Sequence, residues 1–240
     1  MTLPLHLADS GEAADLAAFL GRLVHYDRAA AVRLQAGGGA LAVFGRPPSF
    51  EVLAIRTARL AEPATLDLTV SAGELLESVD EAAGTLRVPA AVTGPPWAGV
   101  LPPRGGWQQL PGLPPVEAMR AAVGAAVAEF RGRDDALPED RRTRAERDRI
   151  GRDIWSRTVA GTELPLRAVH AAQSLGFLRP VRVPAHGAPA PGAPGPHAGS
   201  GPEAVALLAS GSWLRLRTAY GSVALRRPGG GLGTLQVRPV

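Results

Sequence analysis

Two tracts that cannot form regular structure divide this chain. Six prolines lie between Pro95 and Pro114, interspersed with Gly94, Gly99, Gly105, Gly106 and Gly112. Proline locks φ and lacks a backbone donor, so neither a helix nor an inner strand can run through such a segment. Residues 184–202 form a second tract of Pro, Ala, Gly and His, which reads as a flexible or polyproline-like loop with no core of its own. The expected organisation is therefore an α+β unit over 1–93, a Pro/Gly/Trp-rich linker or loop over 94–115, and a segment over 116–240. That last segment combines helices with a C-terminal β-hairpin and is interrupted at 184–202.

Hydrophobic periodicity supplies the elements. Asp9 with Glu12 reads as a capping box, followed by a helix with Leu16, Phe19, Leu20 and Leu23 on one face. Ala30–Gln35 and Ala40–Phe44, joined by Gly37-Gly38-Gly39, read as a β-hairpin. Separate strands are expected over Phe50–Leu60 and Thr65–Val70, where Leu66, Leu68 and Val70 alternate. Ser71 with Glu74 reads as a second capping box, and Thr85–Val92 as one more strand. The N-terminal half is thus an antiparallel sheet with helices. Aromatic residues are only 5 % of the chain, so Ala, Val and Leu must fill its core.

Beyond Pro114-Pro115, a helix is expected with Met119, Val123, Ala126, Val127 and Phe130 on one face, broken from Arg131. A charged helix over Glu139–Val159, a turn at Ala160-Gly161 and a helix over Glu163–Leu175 capped by Thr162 come next. Phe177–Val183 reads as extended. Trp213–Arg217 and Val223–Arg227 form a hairpin around Tyr220-Gly221, and Leu232–Val237 is a last strand. Two helices with a short turn followed by a hairpin resemble a winged helix in layout over roughly 139–227. The Arg-bearing runs 32–47 and 214–228 also echo one another.

All 26 basic residues apart from histidine are arginine, and the chain holds no lysine, cysteine or asparagine. This matches the coding bias of a GC-rich genome. It also excludes Schiff-base chemistry, a Walker A lysine, thiolate nucleophiles and cysteine metal sites. The five histidines show no metal-ligand spacing, no Gly-x-Ser-x-Gly elbow occurs, and Gly229–Gly233 opens no helix, so no catalytic residue, cofactor or metal is assigned. Asp134, Asp135, Glu139 and Asp140 lie beside Arg131, Arg133, Arg141 and Arg142 and read as an ion-pair surface.

Charge is uneven. Residues 1–163 carry eighteen arginines against twenty-one acids, a net of −3. Residues 164–240 carry eight arginines against Glu203 alone, a net of +7. Such asymmetry points to an anionic partner for the basic part. The expected nucleic-acid contacts are Arg167, His170 and Gln173 on the second helix, facing outward toward base edges, and Arg215, Arg217, Arg226 and Arg227 on the hairpin, gripping phosphates. Arg215 and Arg217 alternate on a strand and should share a face.

The sequence therefore suggests a non-catalytic cytoplasmic protein that binds DNA or another polyanion, or regulates, through its basic C-terminal region. An alternative is an interaction or scaffold module docking a protein partner, or a second copy, through Trp97 and Trp107. A third reading is an enzyme acting on a phosphate-bearing substrate. Met1–Asp9 lacks the features of a signal peptide, and no apolar run suits a bilayer, so no membrane association is expected.

Overall fold

A computed structural model describes residues 4–94, 101–180 and 205–227. Strand β1 (Pro4–His6) leads into α1 (Ser10–Tyr26), whose cap Asp9 accepts the Glu12 N–H at 2.9 Å. Two long strands follow, β2 (Ala31–Gly45) and β3 (Leu53–Ser71). Ser71 then caps the short helix α2 (Ala72–Glu77), accepting the Glu74 N–H. Both side-chain N-cap bonds form where the sequence predicts them, while the Glu12 carboxylate turns to Arg56 and Arg59 instead of closing the box. Strands β4 (Val79–Asp80) and β5 (Thr85–Arg87) join β1 in a small antiparallel sheet.

The triple glycine is not a hairpin turn. Gly37–Gly39 lie inside β2, and the reversal comes after it, at residues 46–52. Opposite the single Gly39 the partner strand carries four residues, Leu60 to Pro63, three more than a regular ladder needs, since Gly38 pairs with Ala64 but Ala40 with Arg59. Glycine tolerates the left-handed backbone of such a bulge (Gly38 has φ 65°), and Pro63 has no ladder donor to lose. The freed Leu60 bridges to Leu7, which ties the small sheet to β3. The two strands expected over 50–60 and 65–70 are thus one bent strand. The echo between 32–47 and 214–228 fails, because the first is a single strand rather than a hairpin.

The tract over 94–115, expected to hold no regular element, contributes a short edge strand between its prolines, β6 (Gln108–Leu110), and α3 (Val116–Asp135) then runs straight through Gly132. An exposed glycine costs a helix only about 1 kcal/mol, and Arg133 ties the last turns to Glu129 and to Asp153. A 3₁₀ turn at Glu139–Arg141 precedes α4 (Arg144–Trp155), which Thr143 caps by accepting the Glu146 N–H at 3.3 Å. Helix α5 (Leu166–Ser174) starts after Pro165 rather than at Thr162. Between them run residues 156–165, a ten-residue connection held by a Thr158–Pro165 bridge and a left-handed Gly161. The two-residue turn expected here is absent, because the backbone folds back on itself: the Leu166 N–H donates to Arg157 O at 2.7 Å.

Strands β7 (Ala206–Ser210), β8 (Trp213–Thr218) and β9 (Gly221–Arg226) complete a six-stranded antiparallel sheet in the order β2-β3-β9-β8-β7-β6. The C-terminal hairpin forms where the sequence places it, but it lies within this sheet and does not stand out as a wing. Leu53–Ile55 of β3 pair with Ser222–Ala224 of β9, so both halves of the chain build one sheet. Its inner face and helices α1 and α5 share one buried cluster, which includes Leu16, Phe19, Val43, Ala54, Val169, Leu216 and Val223. Phe19 stacks on Phe177 across the two halves at 5.6 Å. The chain is thus an α+β protein whose helices cover one face of the main sheet.

Candidate functional site

The other face of that sheet carries the candidate site. Cross-strand register sets its rows: Phe44, Ile55, Ser222 and Arg217 lie side by side, as do Leu53, Ala224, Arg215 and Leu208. Phe44, Leu53, Ile55, Trp213 and Ala224 form a small apolar cluster on this face, against which Leu101 and Trp107 pack from the Pro/Gly-rich segment. Trp107 fixes the segment locally by donating its indole N–H to Pro103 O at 3.0 Å.

Beside this cluster opens a cleft of about 360 Å³, lined by Ile55, Arg56, Thr57, Trp107, Arg215 and Arg217, with Thr218 and Ser222 among its other walls. Arg215 and Arg217 share this face, as strand alternation predicts. Arg215 donates its Nε–H to Ser222 Oγ at 2.8 Å, and its guanidinium lies 5.7 Å from the Trp107 ring centre. Arg217 has a buried Nε without a hydrogen-bond partner and no ion pair among the described residues. Arg56, next to Ile55 on β3, turns to the opposite, helix-covered face: it is only 6 % exposed, and its Nη2 donates to Glu12 of α1 at 2.7 Å and lies 3.5 Å from Asp15. Among the described residues, no aspartate or glutamate lines the cleft.

Several described arginines outside the cleft sit on carboxylates instead: Arg33 on Asp67, Arg147 on Asp134, Arg141 on Glu146, and Arg157 on Glu129. These networks hold Glu129 and Asp153 below the usual carboxylate range, through hydrogen bonds from Arg157 and Arg133 respectively. The acids flagged at 134–140 belong to the same kind of surface, and no cluster suited to a metal occurs among the described residues.

The remaining predicted contacts lie elsewhere. Arg226 sits over the Trp213 ring at 4.9 Å, and Arg227 pairs with Glu163 at 3.2 Å. On α5, Arg167, His170 and Gln173 are half-buried rather than turned out to solvent. His170 stacks on Trp155 at 4.4 Å and meets Phe50 edge-on at 5.1 Å, and burial lowers its pKa. Arg167 lies 3.7 Å from Glu51, in the wall of a groove of about 740 Å³ that also includes Ser49 and Trp155. Gln173 has a buried Oε1 with no partner. His170 thus packs α5 against α4 and the connection between β2 and β3. Trp97, His186, His197, the tract 184–202, Gly229–Gly233 and the strand expected at Leu232–Val237 lie outside the described residues.

Sequence reasoning missed Thr57 and Ser222 as parts of this site, because no signal in the sequence showed that β3 would lie beside β9.

Fold and site together define an α+β protein with an arginine-lined cleft on one face of a sheet shared by both halves of the chain. Residues 102–230 match the profile of a domain of unknown function, DUF8185, and residues 1–99 match that of another, DUF8010. The first covers more than half of the chain, which belongs to the DUF8185 family. No curated protein and no solved structure matches the chain. No helix among the described residues is long and apolar enough to cross a membrane.

Proposed function

We propose that this is a non-catalytic cytoplasmic protein that binds a phosphate-bearing polyanion, nucleic acid foremost, at the arginine-lined cleft of the C-terminal hairpin. One observation carries the reading: Arg215 and Arg217 enter a concave site whose lining holds no carboxylate. Arginine suits phosphate because its planar fork donates two parallel hydrogen bonds and stays charged at any physiological pH. In the free protein, Ser222 already orients one fork, which lowers the ordering cost of binding. The contribution of α5 to base reading drops out of the proposal, since Arg167, His170 and Gln173 are half-buried. Trp107, a candidate for protein docking by sequence, joins the anion site as its aromatic wall.

The test is retardation of labelled DNA and RNA by the purified protein across a salt series, with an Arg215→Ala/Arg217→Ala variant. Binding should fall linearly on a log–log salt plot. Loss of two phosphate contacts should flatten the slope by about 1.4–1.8. Absence of any retardation at low salt would sink the reading. Binding that ignores salt and the two arginines but depends on Trp107 would favour the docking module instead.

A further inference from the structure

We infer that the cleft is built for a single terminal nucleoside phosphate, either a free mononucleotide or the phosphorylated end of a single strand, and not for the side of a duplex. The inference rests on the anion-binding reading above and adds the shape of the ligand.

Three observations carry it. First, the arginines are recessed: Arg215 and Arg217 are half-buried, and Arg217 has its Nε fully enclosed. A duplex presents its phosphates on a broad convex surface, which cannot bring them down to side chains lying along a sheet. A terminal phosphate on a slender strand can enter. Second, the space is small. About 360 Å³ lies at the low end of ligand pockets, which span roughly 300–1,000 Å³, and suits one nucleotide rather than a run of backbone. Third, the wall facing Arg215 is the Trp107 indole, already pinned through its N–H to Pro103. A pinned indole beside a phosphate site offers a base a stacking surface without a new ordering cost, and stacking requires a base freed from pairing. The exposed Thr57 lies in the same lining, its hydroxyl available for sugar or phosphate oxygens.

The roles separate cleanly. Arg215 and Arg217 would hold the phosphate and Trp107 the base. Trp107→Leu keeps an apolar cover over Phe44, Leu53 and Ile55 but removes the π face, so the cluster beneath should survive. The experiment is calorimetric titration of the full chain and the two variants with five probes: inorganic phosphate, adenosine 5′-monophosphate, adenosine, a 5′-phosphorylated oligoadenylate single strand, and a blunt unphosphorylated duplex. The expected order places adenosine monophosphate and the phosphorylated strand at least about tenfold tighter than adenosine or the duplex. Trp107→Leu should weaken the monophosphate about tenfold and leave inorganic phosphate unchanged, which also certifies that the variant is folded. Arg215→Ala/Arg217→Ala should abolish both. Comparable affinities for monophosphate and phosphorylated strand identify the terminal group as the ligand; a large gap assigns the site to whichever binds tighter.

If the duplex binds as tightly as the strand through the same arginines, or Trp107→Leu changes nothing, this inference is overturned while the anion-binding reading stands. If no probe binds, both fall.

Discussion

Replacing Glu12 by glutamine should destabilise the fold. Arg56 is 6 % exposed, and Glu12 Oε2 sits 2.7 Å from its Nη2. The other oxygen of Glu12 holds Arg59 Nε at 2.9 Å, on a side chain that is 70 % exposed. Stripping one partner from a buried ion pair costs about 3–5 kcal/mol, because the remaining charge stays buried. Asp15 at 3.5 Å retains part of the interaction, and the exposed Arg59 contact contributes little, so the expected cost is about 2–3 kcal/mol. For a chain of this size that is a fall in Tm of roughly 4–12 °C, read by circular dichroism. Arg56→Met combined with Glu12→Gln removes the stranded charge and should recover most of the loss. A Tm within about 1 °C of wild type would refute the claim that Arg56 is a buried cation held by Glu12. A double variant no more stable than Glu12→Gln would refute the stranded-charge account.

Other consequences follow from packing. Gly221 opens β9 at φ 152°, where an added Cβ would lie 2.6 Å from the Phe177 ring and 2.9 Å from Ile55 O. Gly221→Ala should therefore cost about 2–4 kcal/mol in chemical denaturation, whereas Gly211→Ala, left-handed but in open space, should cost only about 1–2. Burial lowers the pKa of His170 below 6.5 in the folded state, so the unfolded chain binds more protons there. The His170 contribution is complete above pH 6.5 and is lost as pH falls toward the folded pKa. His170→Phe should accordingly flatten the stability difference between pH 7.5 and 5.5, and an unchanged slope would show that His170 plays no part in it. Arg167→Ala with Gln173→Ala should lower Tm without altering any preference among nucleic-acid sequences. A shifted sequence preference in a binding-site selection would return α5 to the interface.

How much of this was legible beforehand depends on the range of the physics involved. Local rules worked where one residue answers another a few positions away. Asp9 with Glu12 and Ser71 with Glu74 start helices because a side-chain oxygen and an orphan N–H lie within one turn. The β8–β9 hairpin, and the common face of Arg215 and Arg217, follow from alternation alone. The same rules misread Gly37–Gly39, since a glycine run serves equally as a turn or as the flexible point of a bulge. Only the neighbouring strand, with Leu60 drawn to Leu7, decides between them. They also misread α5, where an Arg, a His and a Gln on an amphipathic helix give no sign of whether solvent or Phe50 and Trp155 lie opposite.

By itself, the sequence determined the chemistry available to the protein: arginine as the basic residue apart from histidine, no thiol, no lysine, and a basic C-terminal end. It also determined the α+β class and the hairpin, because backbone propensity and side-chain alternation act within a few residues. The tertiary structure alone decided that β3 pairs with β9, that Ile55 and Thr57 of the first half thereby line the cleft with Arg215 and Arg217, and that Trp107 lies over the same face. Pairing between strands more than 150 residues apart is selected by burial of the whole apolar surface at once, and no window of sequence contains that information.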